Sequence, residues 1–151
     1  MRSIYLIGSL RNEQVPIVGD RLRAEGYDVF DQWYSAGKIA DDSFKEYFQG
    51  RGISYPEALK SYAARHIFSF DKRHLDRCDS AVLVCPAGRS GHLELGYMVG
   101  LGKKTYVLID EVTANDRWDI MLQFADKVTF SMEELVESLQ TETNNLLEVP
   151  F

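Results

Sequence analysis

The feature that most constrains this fold is a buried strand that runs almost directly into a helix. Ala81-Val82-Leu83-Val84-Cys85 is an unbroken apolar run. A strand with no polar alternation is covered on both faces, which is the mark of a parallel sheet. After a short connection through Pro86 the chain enters Ser90-Gly91-His92-Leu93-Glu94-Leu95-Gly96-Tyr97. That segment reads as a helix continuing to Gly100. Strand followed at once by helix is the building unit of an α/β domain.

The rest of the chain repeats the pattern. Ile4–Ile7 reads as the first strand, ended by Gly8-Ser9. Val15, Val18 and Leu22 are spaced as one face of a helix over 15–24, and Gly26 stands just past its end as a stop signal. Tyr27–Phe30 reads as the second strand. The polar, aromatic-rich stretch 31–52 reads as a long loop with one helical turn near 43–49. Pro56 suits the first turn of a helix predicted over 56–77. Lys104–Ile109 and Val128–Phe130 read as the last two strands, with a short helix over 116–124 between them. Ser131-Met132-Glu133-Glu134 is a capping box that opens a final helix to about residue 139, and 141–151 is left as a tail. Alternation of this kind calls for one α/β domain over 1–151 of flavodoxin or Rossmann-like type. Its sheet is five-stranded and parallel, ordered 2-1-3-4-5, with helices on both faces. The switch of direction then falls between the first and third strands, where Gly8-Ser9-Leu10-Arg11 meets Pro86–Ser90. Ligands of open α/β sheets bind at such a point.

Four features converge there. Glu94 lies about one turn into a helix that starts at the carboxyl end of a strand. A helix N-terminus favours a nearby carboxylate in its ionised form, and an ionised carboxylate can attack a sugar carbon. The alternative is a first-turn acid that only stabilises its own helix. Asp71 precedes Asp79, at the foot of the third strand, by eight residues. Its neighbours Phe68 and Phe70 are apolar, so its carboxyl is placed to have a raised pKa and to exchange protons. The alternative is a solvated acid paired with Lys72 or Arg73. In the loop after the first strand, Gly8 allows close approach to the backbone, Ser9 offers a hydroxyl and Arg11 a planar fork for an anion. The spacing is neither of the glycine-rich nucleotide fingerprints. Last, the stretch 31–56 carries Phe30, Trp33, Tyr34, Phe44, Tyr47, Phe48 and Tyr55 on it or at its border. Rings so concentrated either stack on a nucleobase or form a satellite cluster at the sheet edge.

Other features narrow the function by exclusion. A net charge of -6 and a pI near 5.1 argue against a binder of nucleic-acid polymers. No apolar run approaches the ~18–20 residues of a membrane span, and the first residues read as a strand rather than a signal segment. The cysteines, Cys78 and Cys85, have neither metal nor CxxC spacing. His66 and His74 lack a third ligand, so neither metal nor cofactor is expected. The expected setting is cytoplasmic. His92 points to another helix face than Glu94, and Lys103 and Lys104 read as solvated turn residues.

Tyr5, Gly8, Asp71, Asp79, the run Glu94-Leu95-Gly96-Tyr97 and then Gly102-Lys103-Lys104 before an apolar strand resemble the nucleoside 2-deoxyribosyltransferases and the related 2′-deoxynucleoside 5′-monophosphate N-glycosidases. The likeness spans roughly residues 3–130. It implies Glu94 as nucleophile at C1′ of a deoxyribose, in the two-step retaining manner of glycosidases. It implies Asp71 as the acid that serves the leaving base and holds the sugar, and Tyr5 as the hydroxyl that orients the nucleophile. Ser9 and Arg11 match the nucleotide hydrolases, where they serve a 5′-phosphate, with Ser90 as a further contact at the helix start. Asp119, with Met121, falls where the transferases reach into a neighbouring subunit's sugar site, which implies a homo-oligomer with shared sites. An aromatic C-terminus, here Phe151, folds into the site in the transferases. Gly88 stands where those enzymes carry an acidic base-reader, so base recognition must differ. The small-molecule substrate is a nucleoside, favoured, or a nucleotide. A non-catalytic nucleotide or ADP-ribose sensor is the alternative from another class.

Overall fold

In a computed structural model of the chain, residues 2–110 and 118–148 are described, the last six by backbone alone. The strands are β1 (Ser3–Ile7), β2 (Asp28–Phe30), β3 (Ser80–Val84), β4 (Lys104–Leu108) and β5 (Lys127–Thr129). They form one sheet in the order β2-β1-β3-β4-β5, every pairing parallel. The helices are α1 (Gln14–Ala24), α2 (Ala40–Gly50), α3 (Tyr55–Leu59), α4 (Tyr62–Arg77), α5 (Arg89–Gly100) and α6 (Met132–Glu148), with 3-10 segments at Gln32–Ala36 and Ile120–Phe124. The expected fold class and strand order are those observed.

The two central strands explain their own sequence. Every residue of β1 and β3 is buried, so neither needs a polar face. The period of two then sorts β1 into two cores. Ile4 and Leu6 pack with Val15, Val18, Leu22, Leu135 and Leu139, under α1 and α6. Tyr5 and Ile7 pack with Leu75, Leu83, Leu95 and Met98, under α4 and α5. Tyr5 therefore lies on the same side of the sheet as the helices that carry Asp71 and Glu94. Its partners in register are Phe30 on β2 and Ala81 on β3.

The ends of the elements follow local chemistry. Gly26 turns at φ 95° after α1, a left-handed conformation that costs glycine least. Ser131 Oγ accepts from Glu134 N at 3.1 Å, the first bond of the expected capping box, while the Glu134 carboxylate accepts from Phe130 N at 3.0 Å, one residue before the cap. Asp79 is structural: its Oδ2 accepts from Ser3 N and Ser3 Oγ at 3.0 and 3.1 Å. These bonds tie the feet of β1 and β3 and hold its carboxyl below the usual range.

Three expectations need correction. The stretch 31–52 is not a loop with one turn: it folds as a 3-10 segment and the three-turn α2. Glycine and charge obscure the period there, but Ala40, Phe44 and Phe48 keep a helical step. The single helix expected over 56–77 is two, because Ser61 Oγ accepts from Ala64 N and starts α4 afresh. The last helix runs to Glu148 rather than 139, so most of the expected tail is helical. Residues 111–117, where the start of the expected 116–124 helix falls, and Phe151, expected to fold into the site, lie outside the described residues.

Candidate active site

Gly8-Ser9-Leu10 and Gly88–Ser90 meet at the switch point between β1 and β3, as the strand order requires. Between them and α2 opens a cleft of about 1160 Å³, lined among others by Tyr5, Asp71 and Glu94. A smaller hollow of about 340 Å³ lies beside β4, β5 and α6, remote from these groups.

Glu94 reaches the cleft because α5 lies close on the sheet. A Cβ at Gly91 would stand 3.2 Å from Ile7 Cγ2 and 3.4 Å from Leu83 Cδ1, so a larger residue would lift the helix and withdraw its acid. The Glu94 carboxylate is mostly buried, and its Oε2 is enclosed with no hydrogen-bond partner. Burial pushes its pKa from 4.5 up to about 7; the nearby Asp71 adds to the rise, and the Tyr5 hydroxyl opposes it. The helix N-terminus favours the ionised form of this acid, while burial works in the opposite direction. Tyr5 itself is held protonated, far above its ordinary range, by burial and by the two acids. Burial also raises Asp71 above 3.8. Asp71 has no ion pair to Lys72, which instead binds Asp76 at 2.9 Å.

The loops around these acids are held from below. Asn12 is buried. Its Nδ2 donates to the carbonyls of Val84 and Pro86 at 3.5 and 3.3 Å, and its Oδ1 accepts from Gln14 N at 3.0 Å. One side chain thereby joins the β1–α1 loop to the β3–α5 loop. Sequence reasoning missed it; an amide just before a helix was the available signal. Gly8 serves packing, since a Cβ there would come within 2.7 Å of Val15 Cγ2. Trp33 Nε1 donates to Leu6 O at 2.8 Å, which fixes its ring at the cleft wall. Burial pushes the Cys85 thiol up to about 11, so it is not an activated nucleophile.

Not every expected residue joins the cleft. Ser9, Gly88 and Ser90 line it. A Cβ at Gly88 would meet nothing within 4 Å, so the place of an acidic base-reader is open space. Arg11 does not line the cleft and pairs with Asp42 of α2 at 2.8 Å. Asp119 caps the second 3-10 segment, accepting from Met121 N at 2.9 Å; Met121 is exposed, and neither lines the cleft. Arg89, Lys45, Gln49 and His66 do line it, although none was singled out as a site residue in the sequence. Among the described residues, no three His, Cys, Asp or Glu side chains are arranged to hold a metal, and no helix is long and apolar enough to cross a membrane.

No family model matches the sequence, and no curated protein matches it. Solved structures do. A conserved protein from Enterococcus faecalis V583 superposes with a TM-score of 0.64 at 14% identity, over 94% of this chain and 99% of that one. A 2-deoxyribosyltransferase from Bacillus psychrosaccharolyticus gives 0.57 at 19%, over 89% and 90%. The CMP N-glycosidase BcmB of Clostridium botulinum gives 0.50 at 12%, over 92% and 99%. At these identities the likeness establishes a shared fold over nearly the whole chain.

Proposed function

We propose that this protein is an enzyme that cleaves the N-glycosidic bond of a 2′-deoxynucleoside through a covalent glycosyl–Glu94 intermediate and passes the deoxyribosyl group to another base. The observation that carries the reading is the meeting of Glu94, Asp71 and Tyr5 from three separate elements in one cleft at the switch point. The fold shared with a 2-deoxyribosyltransferase and an N-glycosidase supports it.

The two acids face each other, and the reactive form carries their one proton on Asp71: the Glu94 carboxylate attacks C1′, the C1′–N bond breaks and the Asp71 carboxyl gives that proton to the departing base. Asp71, left as the carboxylate, then takes a proton from the incoming base. That base attacks C1′, and Glu94 leaves as the carboxylate. Tyr5, kept protonated, donates toward Glu94 and orients it. The rings of α2 and Trp33 stack on the base. No cofactor or metal takes part. Asp119 and Met121 sit outside the cleft on a stretch that exposes Trp118, Ile120, Met121 and Phe124. Such a stretch suits a subunit contact, and a homo-oligomer with shared sites is part of the proposal.

A second reading, hydrolysis of a deoxynucleoside 5′-monophosphate, is favoured by Ser9, Arg89 and Ser90 meeting at the start of α5, where backbone N–H groups attract an anion. The engagement of Arg11 by Asp42 counts against it. Incubation with thymidine plus adenine, and separately with deoxynucleoside monophosphates, separates the two. Base exchange, with a deoxyribosyl mass increment on Glu94, is the expected result. Free base with deoxyribose 5-phosphate would transfer the assignment to the hydrolase. Inertness in both, with no increment on Glu94, would leave a ligand-sensing module.

A further inference from the structure

Tyr97 and Lys103 belong to the motifs singled out in the sequence, yet the proposed chemistry uses neither. Both turn toward α4. The Tyr97 hydroxyl donates to Asp76 Oδ1. Lys72 Nζ donates to Asp76 Oδ2 at 2.9 Å and lies 5.5 Å over the Tyr97 ring. Lys103 Nζ donates to the carbonyls of Leu75 and Asp76 at 2.8 and 2.5 Å, capping the C-terminal end of α4, where a cation is favoured. The expectation that Lys103 only solvates its turn is corrected by these bonds.

Their placement relative to the two acids gives the cluster a purpose. Helices α4 and α5 cover the same face of the sheet and run in the same direction, one leading into β3 and the other out of it. Asp76 lies five residues beyond Asp71 on α4, about 7.5 Å along the axis; Tyr97 lies three beyond Glu94 on α5, about 4.5 Å. The cross-link thus joins the two helices on the same side of both acids. Each acid comes from a different helix, so their separation depends on how the helices are held together.

We propose that Tyr97, Asp76 and Lys103 are positioning residues that set the spacing of Asp71 and Glu94; the proposal rests on reading those acids as the reacting pair. Displacement of a reacting group by about 1 Å can cost on the order of 10²-fold in rate.

The test uses the full-length chain with Tyr97→Phe, which keeps the ring, and Lys103→Met. In the double variant kcat for glycosidic cleavage should fall by between ~10-fold and ~10²-fold, while KM stays near that of the parent and the melting temperature falls by only a few degrees. Lys103→Arg, which keeps the donors, should restore most of the rate lost in Lys103→Met. Carboxyl carbon NMR supplies a readout independent of turnover. The groups facing Glu94 are Tyr5 from β1 and Asp71 from α4, so a changed spacing should move the Glu94 titration midpoint. An unchanged kcat overturns the proposal, and so does a rise in KM alone, which would make the hydroxyl a substrate contact. A parent chain that turns over no nucleoside or nucleotide sinks the functional reading instead. The clamp is then decided by NMR alone, an unmoved Glu94 midpoint overturning it.

Discussion

The two walls of the cleft are built in opposite ways. On one side stand β1, β3 and the start of α5, where every strand residue is buried and Asn12 binds the two loops together. On the other stands α2, which has no buried residue. Positive-φ glycines flank it, Gly37 at 90° and Gly52 at 72°, and exposed ion pairs tie the region to the body: Arg11–Asp42 and, just before the helix, Lys38–Glu13. Exposed pairs of this kind contribute little, about 0–1 kcal/mol. The wall that holds Glu94 is part of the core. The wall that supplies rings is free to vary in sequence without unfolding the protein.

That contrast can be broken at several points. The largest expected effect is at the two acids: Glu94→Gln on the core wall should lower kcat/KM for glycosidic cleavage by at least ~10⁴-fold, and Asp71→Asn on α4 by ~10²–10⁴-fold. Near-parental rates for either, in a steady-state assay, would show that the two acids are not the reacting groups.

The next effect is on stability, with the opposite sign. Glu94 has its folded-state pKa raised from 4.5 to about 7. The stability of its neutral form is therefore fully present below 4.5 and lost as pH rises through about 7. At pH 8 the ionised acid should cost roughly 3 kcal/mol. Glu94→Gln should accordingly melt higher than the parent at pH 8, by an advantage that fades as pH falls toward 4.5. Melting curves at several pH values check this; an advantage that persists at low pH would point to packing instead of charge.

The smallest effect belongs to α2. Phe44→Ala with Phe48→Ala should raise KM by about tenfold, in line with the loss of base stacking. It should leave kcat nearly unchanged and alter stability by less than about 1 kcal/mol. Steady-state kinetics and a denaturant curve read both. A collapse of stability would show that α2 is part of the core after all, and the comparison of the two walls would fail.

Glu94 and Asp71 were legible as candidates because burial and topology leave marks on sequence. The apolar run 81–85 announces a covered parallel strand, and the strand order locates the switch point beside it. Gly91 carried no such mark, since its need for closeness to Ile7 and Leu83 exists only once α5 is laid on the sheet. Arg11 illustrates the converse: its sequence position suggested an anion site, but a neighbour 31 residues away engages it. The helix α2 was legible only as one turn within a loop: Ala40, Phe44 and Phe48 keep a helical step, but charged residues and the glycines at 37, 50 and 52 obscure where the helix begins and ends.

By itself, then, the sequence determined the sheet order, the location of the cleft and the helix that bears Glu94. These follow from period, length and capping, which act over a few residues. Only the tertiary structure decided that burial raises the Glu94 carboxyl to about 7 and that Lys72 pairs with Asp76 rather than Asp71. Only it decided that Tyr97 and Lys103 bind α4 rather than water. The physical reason is that desolvation and long-range hydrogen bonds depend on which distant segments arrive, and no local pattern encodes an arrival.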